Sequence, residues 1–172
     1  MRRILILDDE PAVLNALRRT LRAAFVQEDV AIEIFDEPEA AVLRAGEQDF
    51  DVVISDYRMP GLNGADVLLL VKGLQPDAIR IVVSATTEIL DIADAVNRAE
   101  VFRYLAKPWQ QEELVATVRD AFARRDRLQP PSPPVAPEDT RRQRELDRLE
   151  RDEPGITRVD RDEDGNIRLN LT

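Results

Sequence analysis

Four short polar signals each stand where a hydrophobic run ends, and together they define the chemistry open to this chain. Ile4-Leu5-Ile6-Leu7 stops at Asp8-Asp9-Glu10, and Val52-Val53-Ile54-Ser55 stops at Asp56. Ile81-Val82-Val83 stops at Ser84, and Phe102-Arg103-Tyr104-Leu105-Ala106 stops at Lys107-Pro108. If these runs are parallel strands, their carboxyl ends line one edge of a sheet, where ligands of such sheets bind. Three carboxylates, a hydroxyl and an ammonium then converge. That set suits a divalent cation and a phosphoryl group accepted by Asp56.

Mg²⁺ takes oxygen ligands in an octahedron and is commonly held by one or two carboxylates plus waters. Asp8, Asp9 and Asp56 meet that need if the first and third strands are neighbours. A single Asp at such a place is explained as the N-cap of the following helix. An adjacent pair plus a third is not, because crowded like charges cost energy without a cation. A carboxylate can attack phosphorus in line while positive charge offsets the charge that develops. Asp56 is the expected nucleophile, and the turn-rich Arg58-Met59-Pro60-Gly61-Leu62-Asn63-Gly64 behind it is expected to expose the acid. Lys107 supplies a point charge for a phosphoryl oxygen, and Ser84 a hydrogen bond.

Elements must position these groups. Apolar runs sit near 4–7, 30–35, 52–55, 79–83 and 102–105, and segments of helical spacing lie between them. Val13, Leu14, Leu17 and Leu21 make a stripe behind Pro11, a residue suited to a first helical turn. Ala40, Val42 and Leu43 make a weaker one. Val67, Leu68, Leu70, Val71 and Leu74 follow Asn63-Gly64, and Ile89, Ile92, Ala93 and Val96 follow Thr86-Thr87-Glu88. Leu114, Val115, Val118, Ala121 and Phe122 form the last, with Glu112 and Glu113 favourable in its first turn. Five strand–helix pairs in alternation predict an α/β fold, doubly wound on a parallel sheet with right-handed crossovers. Strands covered on both faces read as continuous apolar runs, as these do. Periodicity alone does not give their order.

Composition narrows the function. The net charge of −10 argues against general nucleic-acid binding, which needs surplus Lys and Arg. No Cys and no His are present, which removes disulfides, thiolate metal sites, imidazole bases and any phosphohistidine on this chain. A phosphoryl group must come from a partner. No signal-peptide pattern opens the sequence and no apolar stretch approaches the ~20 residues of a membrane span. A cytoplasmic location is expected.

Beyond residue 128 the pattern changes. Residues 129–137 hold five of the eleven prolines and read as a stiff linker rather than a selected P-x-x-P ligand. Residues 138–152 read as a charged helix, with Glu138/Arg142 and Asp147/Arg151 at i,i+4. Ile156–Asp160 and Ile167–Leu171 alternate around a Gly-containing turn, which predicts a small β-hairpin. The expected organisation is therefore 1–128, a linker at 129–137, and an extension at 138–172.

The strand-end residues carry a resemblance. Asp8-Asp9, the stretch from Asp56 to Gly64, Ser84-Ala85 and Lys107-Pro108, in that order, resemble the receiver domain of two-component response regulators over roughly residues 1–125. The resemblance implies a flavodoxin-like sheet of order 2-1-3-4-5 and phosphorylation of Asp56 by a sensor histidine kinase or phosphotransfer protein. It implies Asp9, Asp56 and the backbone carbonyl of Arg58 as Mg²⁺ ligands, with Asp8 acting through water. Ser84 and Tyr104 become switch residues, and Lys107 the family's lysine. Arg58 takes a position that tunes dephosphorylation. The output implied is a downstream protein target and a homodimer through the face of the fourth helix, fifth strand and fifth helix.

Other functions fit less well. The 44 residues left after the receiver (172 − 128) are too few for a typical helix-turn-helix domain, so a transcription regulator needs an atypical DNA-contacting tail. Arg141, Arg142, Arg144 and Arg148 are interleaved with acids and suit a solvated helix better than DNA. A metal-dependent aspartyl phosphatase carries D-x-D-x-T after its first strand, which Asp8-Asp9-Glu10-Pro11 does not match. The front of a calcium loop at 160–167 lacks its closing Glu, since Leu171 stands there.

Overall fold

The structure is a computed structural model that describes residues 1–85, 93 and 97–128. The expected linker, charged helix and hairpin lie outside the described residues. So does the expected fourth helix, apart from Ala93.

The described elements alternate along the chain. They are β1 (Arg2–Leu7), α1 (Pro11–Ala24), β2 (Val30–Phe35), α2 (Pro38–Glu47), β3 (Val52–Asp56), α3 (Gly64–Leu74), β4 (Ile79–Ala85), β5 (Arg103–Lys107) and α4 (Gln111–Leu128). Here α4 is the segment that the sequence pattern makes the fifth helix. All strands pair in parallel, in the order β2-β1-β3-β4-β5. This is the flavodoxin-like order that the resemblance implied.

The period of two in each strand decides which helix each residue meets. Ile4, Ile6, Val52, Ile54, Ile81 and Val83 point to one face and pack with α1 and α4 through Leu14, Leu17, Leu21, Leu114, Val118 and Phe122. Leu5, Leu7, Val53 and Val82 point to the other, where Ala41, Ala45, Val67, Leu68 and Val71 cover them. Burying each such aliphatic side chain contributes roughly 1.5–3 kcal/mol before conformational entropy is counted.

Helix starts follow the local sequence. Proline opens α1 and α2, where its missing N–H costs nothing. Asn63 caps α3, its Oδ1 accepting from the Asp66 N–H at 2.9 Å. Two stripes differ from the pattern read in the sequence. In α2 the inward residues are Ala41 and Ala45, while Leu43 is 68% exposed. Small residues bring α2 close to the sheet, and the larger Leu43 is turned outward. In α3, Leu70 and Leu74 are 46% and 51% exposed, and Ala65, Val67, Leu68 and Val71 face the core. Leucine alone does not mark the buried side of a short helix.

Two buried polar residues not singled out from the sequence tie the amino-end side of the sheet. Gln75 Oε1 accepts from the Phe50 N–H at 2.8 Å, and Gln75 Nε2 donates to the carbonyls of Ala45 and Gln48. Arg80 donates to the carbonyls of Ala99, Pro76 and Ala78 at 2.7, 3.1 and 2.7 Å. Both thus place their buried polar atoms on main-chain partners.

The loop behind β3 is closed by one tight approach. The Gly64 N–H donates to the Tyr57 carbonyl at 2.8 Å, and a Cβ on Gly64 would overlap the Asp56 carbonyl oxygen. Only glycine lets α3 begin there. Gly64→Ala is therefore expected to destabilise the fold by about 2–4 kcal/mol, because backbone must move to admit the methyl group. Urea unfolding checks this; Gly73→Ala, with open space around it, serves as the tolerated control.

Candidate functional site

Parallel pairing brings the strand ends level. Leu7 lies opposite Ser55, so Asp8 follows β1 beside Asp56 at the end of β3. Asp56 lies opposite Val83, and Ser84 opposite Ala106, which places Ser84 and Lys107 at the next two levels. Carboxylate oxygens of Asp8, Asp9 and Asp56 all lie within 4.8 Å of one another. Lys107 Nζ sits 2.8 Å from Asp8 Oδ2 and 2.9 Å from Asp56 Oδ1. Asp8 is fixed from its other oxygen, which accepts from the Glu10 N–H at 2.9 Å. The Lys107–Pro108 peptide is cis.

Asp56 is not exposed as the loop composition led us to expect; it is 5% accessible. Met59 in that loop is itself buried, in the cluster that holds Val67, Leu68 and Val71 of α3, so the loop packs against the core. Glycine and proline mark a turn, but an apolar side chain within it decides how closely the turn packs. Asp8 and Ser84 are also buried, whereas Asp9 is exposed.

Burial pushes the Asp56 carboxyl up to about 6 against the pull of Lys107, and the charges of Asp8 and Asp9 push the same way. Burial alone would lower the Lys107 ammonium, but its bonds to Asp8 and Asp56 outweigh that and hold it above the ordinary lysine value. Three carboxylates thus face one ammonium. The donor set is all hard oxygen and carries excess negative charge, which fits a divalent cation of the Mg²⁺ type.

The remaining expected residues flank this cluster. The Tyr104 hydroxyl donates to the carbonyls of Ser84 and Ala85, at 3.0 and 2.8 Å, and so is tied to the end of β4. Arg58 stands two residues after Asp56 with its side chain exposed. The cluster itself consists of carboxylates only.

The profile of the response regulator receiver domain matches residues 4–119. The chain belongs to the response regulator receiver family. It is 40% identical over 118 residues to the hydrogenase transcriptional regulatory protein HoxA of Cupriavidus necator, covering 69% of this chain and 23% of that protein. It is 33% identical over 135 residues to the transcriptional regulatory protein CutR of Streptomyces coelicolor, covering 77% of this chain and 58% of the relative. The chain thus spans about a quarter of the first relative and little over half of the second. A receiver domain protein from Clostridium thermocellum superposes with a TM-score of 0.67 at 25% identity, over 74% of this chain and 99% of that one. Among the described residues no helix is long and apolar enough to cross a membrane.

The raised Asp56 pKa has a sign that can be tested. Its folded value lies near 6 and its ordinary value near 3.8, so the folded chain holds this proton more tightly. The ionised carboxylate therefore opposes folding in full above about pH 6, and the cost fades as pH falls toward 4. Asp56→Asn, whose amide oxygen can still accept from Lys107, is expected to stabilise the receiver by about 1 kcal/mol at pH 7.5 with a chelator present. The gain should shrink to nothing near pH 4, as followed by urea unfolding of both proteins.

Proposed function

We propose that this chain accepts a phosphoryl group on Asp56 and passes the signal on through protein–protein contacts. The observation that carries this reading is the cluster of Asp8, Asp9 and Asp56 with Lys107 bridging Asp8 and Asp56. An Asp56 carboxylate oxygen attacks phosphorus, the O–P bond forms as the donor's N–P bond breaks, and the electron pair stays with the leaving imidazole of a partner histidine kinase or phosphotransfer protein. Asp9 and Asp56, with the Arg58 carbonyl and Asp8 through water, would hold Mg²⁺, which neutralises charge on the transferring oxygens. Lys107 shifts from Asp56 to a phosphoryl oxygen, and Ser84 donates to another.

The new charge biases two packings of the strand ends. When Ser84 turns toward the phosphoryl group, the β4 end that holds the Tyr104 hydroxyl moves with it, so Tyr104 repacks. A modification shifts such an equilibrium only through differential stabilisation of the two states. The face of the expected fourth helix, β5 and α4 is the output surface, through a downstream protein or a homodimer. HoxA and CutR are transcriptional regulatory proteins; here we assign the output to a cytoplasmic protein partner, with residues 129–137 as linker and 138–172 as a docking extension.

Incubation with acetyl phosphate and Mg²⁺ is expected to add one phosphoryl group to the wild-type intact mass and none to Asp56→Ala. Excess EDTA should abolish the gain. A full gain in Asp56→Ala, or one indifferent to EDTA, would remove the basis of this reading. Lys107→Ala should slow labelling by at least about tenfold, the loss expected for removing one positioned charge from a phosphoryl-transfer site.

A further inference from the structure

At the amino-end side of the sheet, where β4 begins and α4 ends, lies a cavity of about 460 Å³. That volume is in the range of small-molecule sites. Ile79, Val101, Phe102 and Leu128 give it apolar walls, and Arg80 and Arg124 line it as well. It shares none of these residues with the acidic cluster.

The two arginines are not equally satisfied. Arg80 is buried, and its Nε and Nη1 are taken by the carbonyls of Ala99, Pro76 and Ala78. Its Nη2 reaches only the Glu100 carbonyl at 3.5 Å and the Glu100 carboxylate at 3.9 Å. Those distances leave Nη2, which carries two N–H groups, without a short partner. Glu100 also pairs with Lys72 at 2.9 Å, so its carboxylate is shared between two cations. Backbone carbonyls and that distant carboxylate balance the Arg80 cation, and burial outweighs the Glu100 charge to hold it below the ordinary arginine value. Asp77, the other acid lining the cavity, is paired with Arg125 at 3.3 Å. Arg124 makes no hydrogen bond or ion pair among the described residues.

We propose that this cavity is a binding site for a small organic carboxylate with a flat apolar body. One carboxylate oxygen meets the Arg80 Nη2 donors and the other meets Arg124, while the body lies against Phe102, Val101 and Ile79. The ligand supplies the short charged partner that Glu100, 3.9 Å away and shared with Lys72, does not. This site does not depend on phosphotransfer at Asp56.

Titration of the ¹⁵N-labelled full chain with benzoate tests it, with formate and inorganic phosphate as anions lacking the apolar body. Benzoate is expected to produce saturable amide shifts at Val101 and Phe102 at about millimolar concentration, in line with the affinity available to so few atoms. Formate and phosphate should give no saturable shift there. Arg124→Glu, at an exposed helical position, should weaken benzoate by at least tenfold, and Arg124→Lys by no more than about threefold. Val101→Trp, which fills the cavity, should abolish binding with the arginines intact. The proposal fails if benzoate gives no saturable shift, if formate or phosphate matches it, or if Arg124→Glu and Val101→Trp both bind as the wild type does.

Discussion

Negative charge crowded into a nearly dry corner is the constraint around which this receiver is arranged. Asp8, Asp9 and Asp56 meet where the ends of β1 and β3 are held level by main-chain pairing, and one lysine bridges Asp8 and Asp56. Coulomb repulsion at such distances is large in a medium of low polarity and small in water. Burial of Asp8 and Asp56 therefore makes the site sensitive to any added charge, whether a cation that relieves the repulsion or a phosphoryl group that increases it. The sheet cannot relax by spreading Asp8 and Asp56, because Asp8 directly follows β1 and Asp56 is the last residue of β3. What can change is the partner of Lys107 and the packing of the strand ends beside it.

The fold serves this corner through register. β1 and β3 are adjacent although α1, β2 and α2 separate them in sequence, and this crossover brings Asp8 beside Asp56. Tight closure at Gly64 keeps the loop after Asp56 short and its backbone fixed. At the opposite side of the sheet, Gln75 and Arg80 bind main-chain carbonyls of several loops. The strand starts are thus pinned, while at the functional ends Lys107 joins two carboxylates from different strands and can exchange partners.

Much of this was legible in the sequence, for physical reasons that differ by element. The central strands were plain because burial on both faces demands unbroken Ile, Val and Leu, as in Ile4–Leu7 and Val52–Ile54. The polar strand ends were plain because carboxylates are costly beside such runs unless they have work to do. Strand order came only from the resemblance, since no local pattern records which strand lies beside which. The inward face of α2 was misread because close helix–sheet approach selects Ala41 and Ala45 over Leu43, and size is a poor guide there. The burial of Asp56 was missed because loop composition does not encode that the loop packs inward, as the buried Met59 shows it does. Arg80 gave no warning at all: a charge in an apolar strand is readable as buried only once its carbonyl acceptors are known.

The Tyr104 hydroxyl grips oxygens of the peptide chain at Ser84 and Ala85. Position 85 can therefore drift through evolution without loosening that grip, since every amino acid brings the same acceptor. Selection for the tether is left to act on the hydroxyl of residue 104: a phenylalanine there would keep the shape and lose the tether.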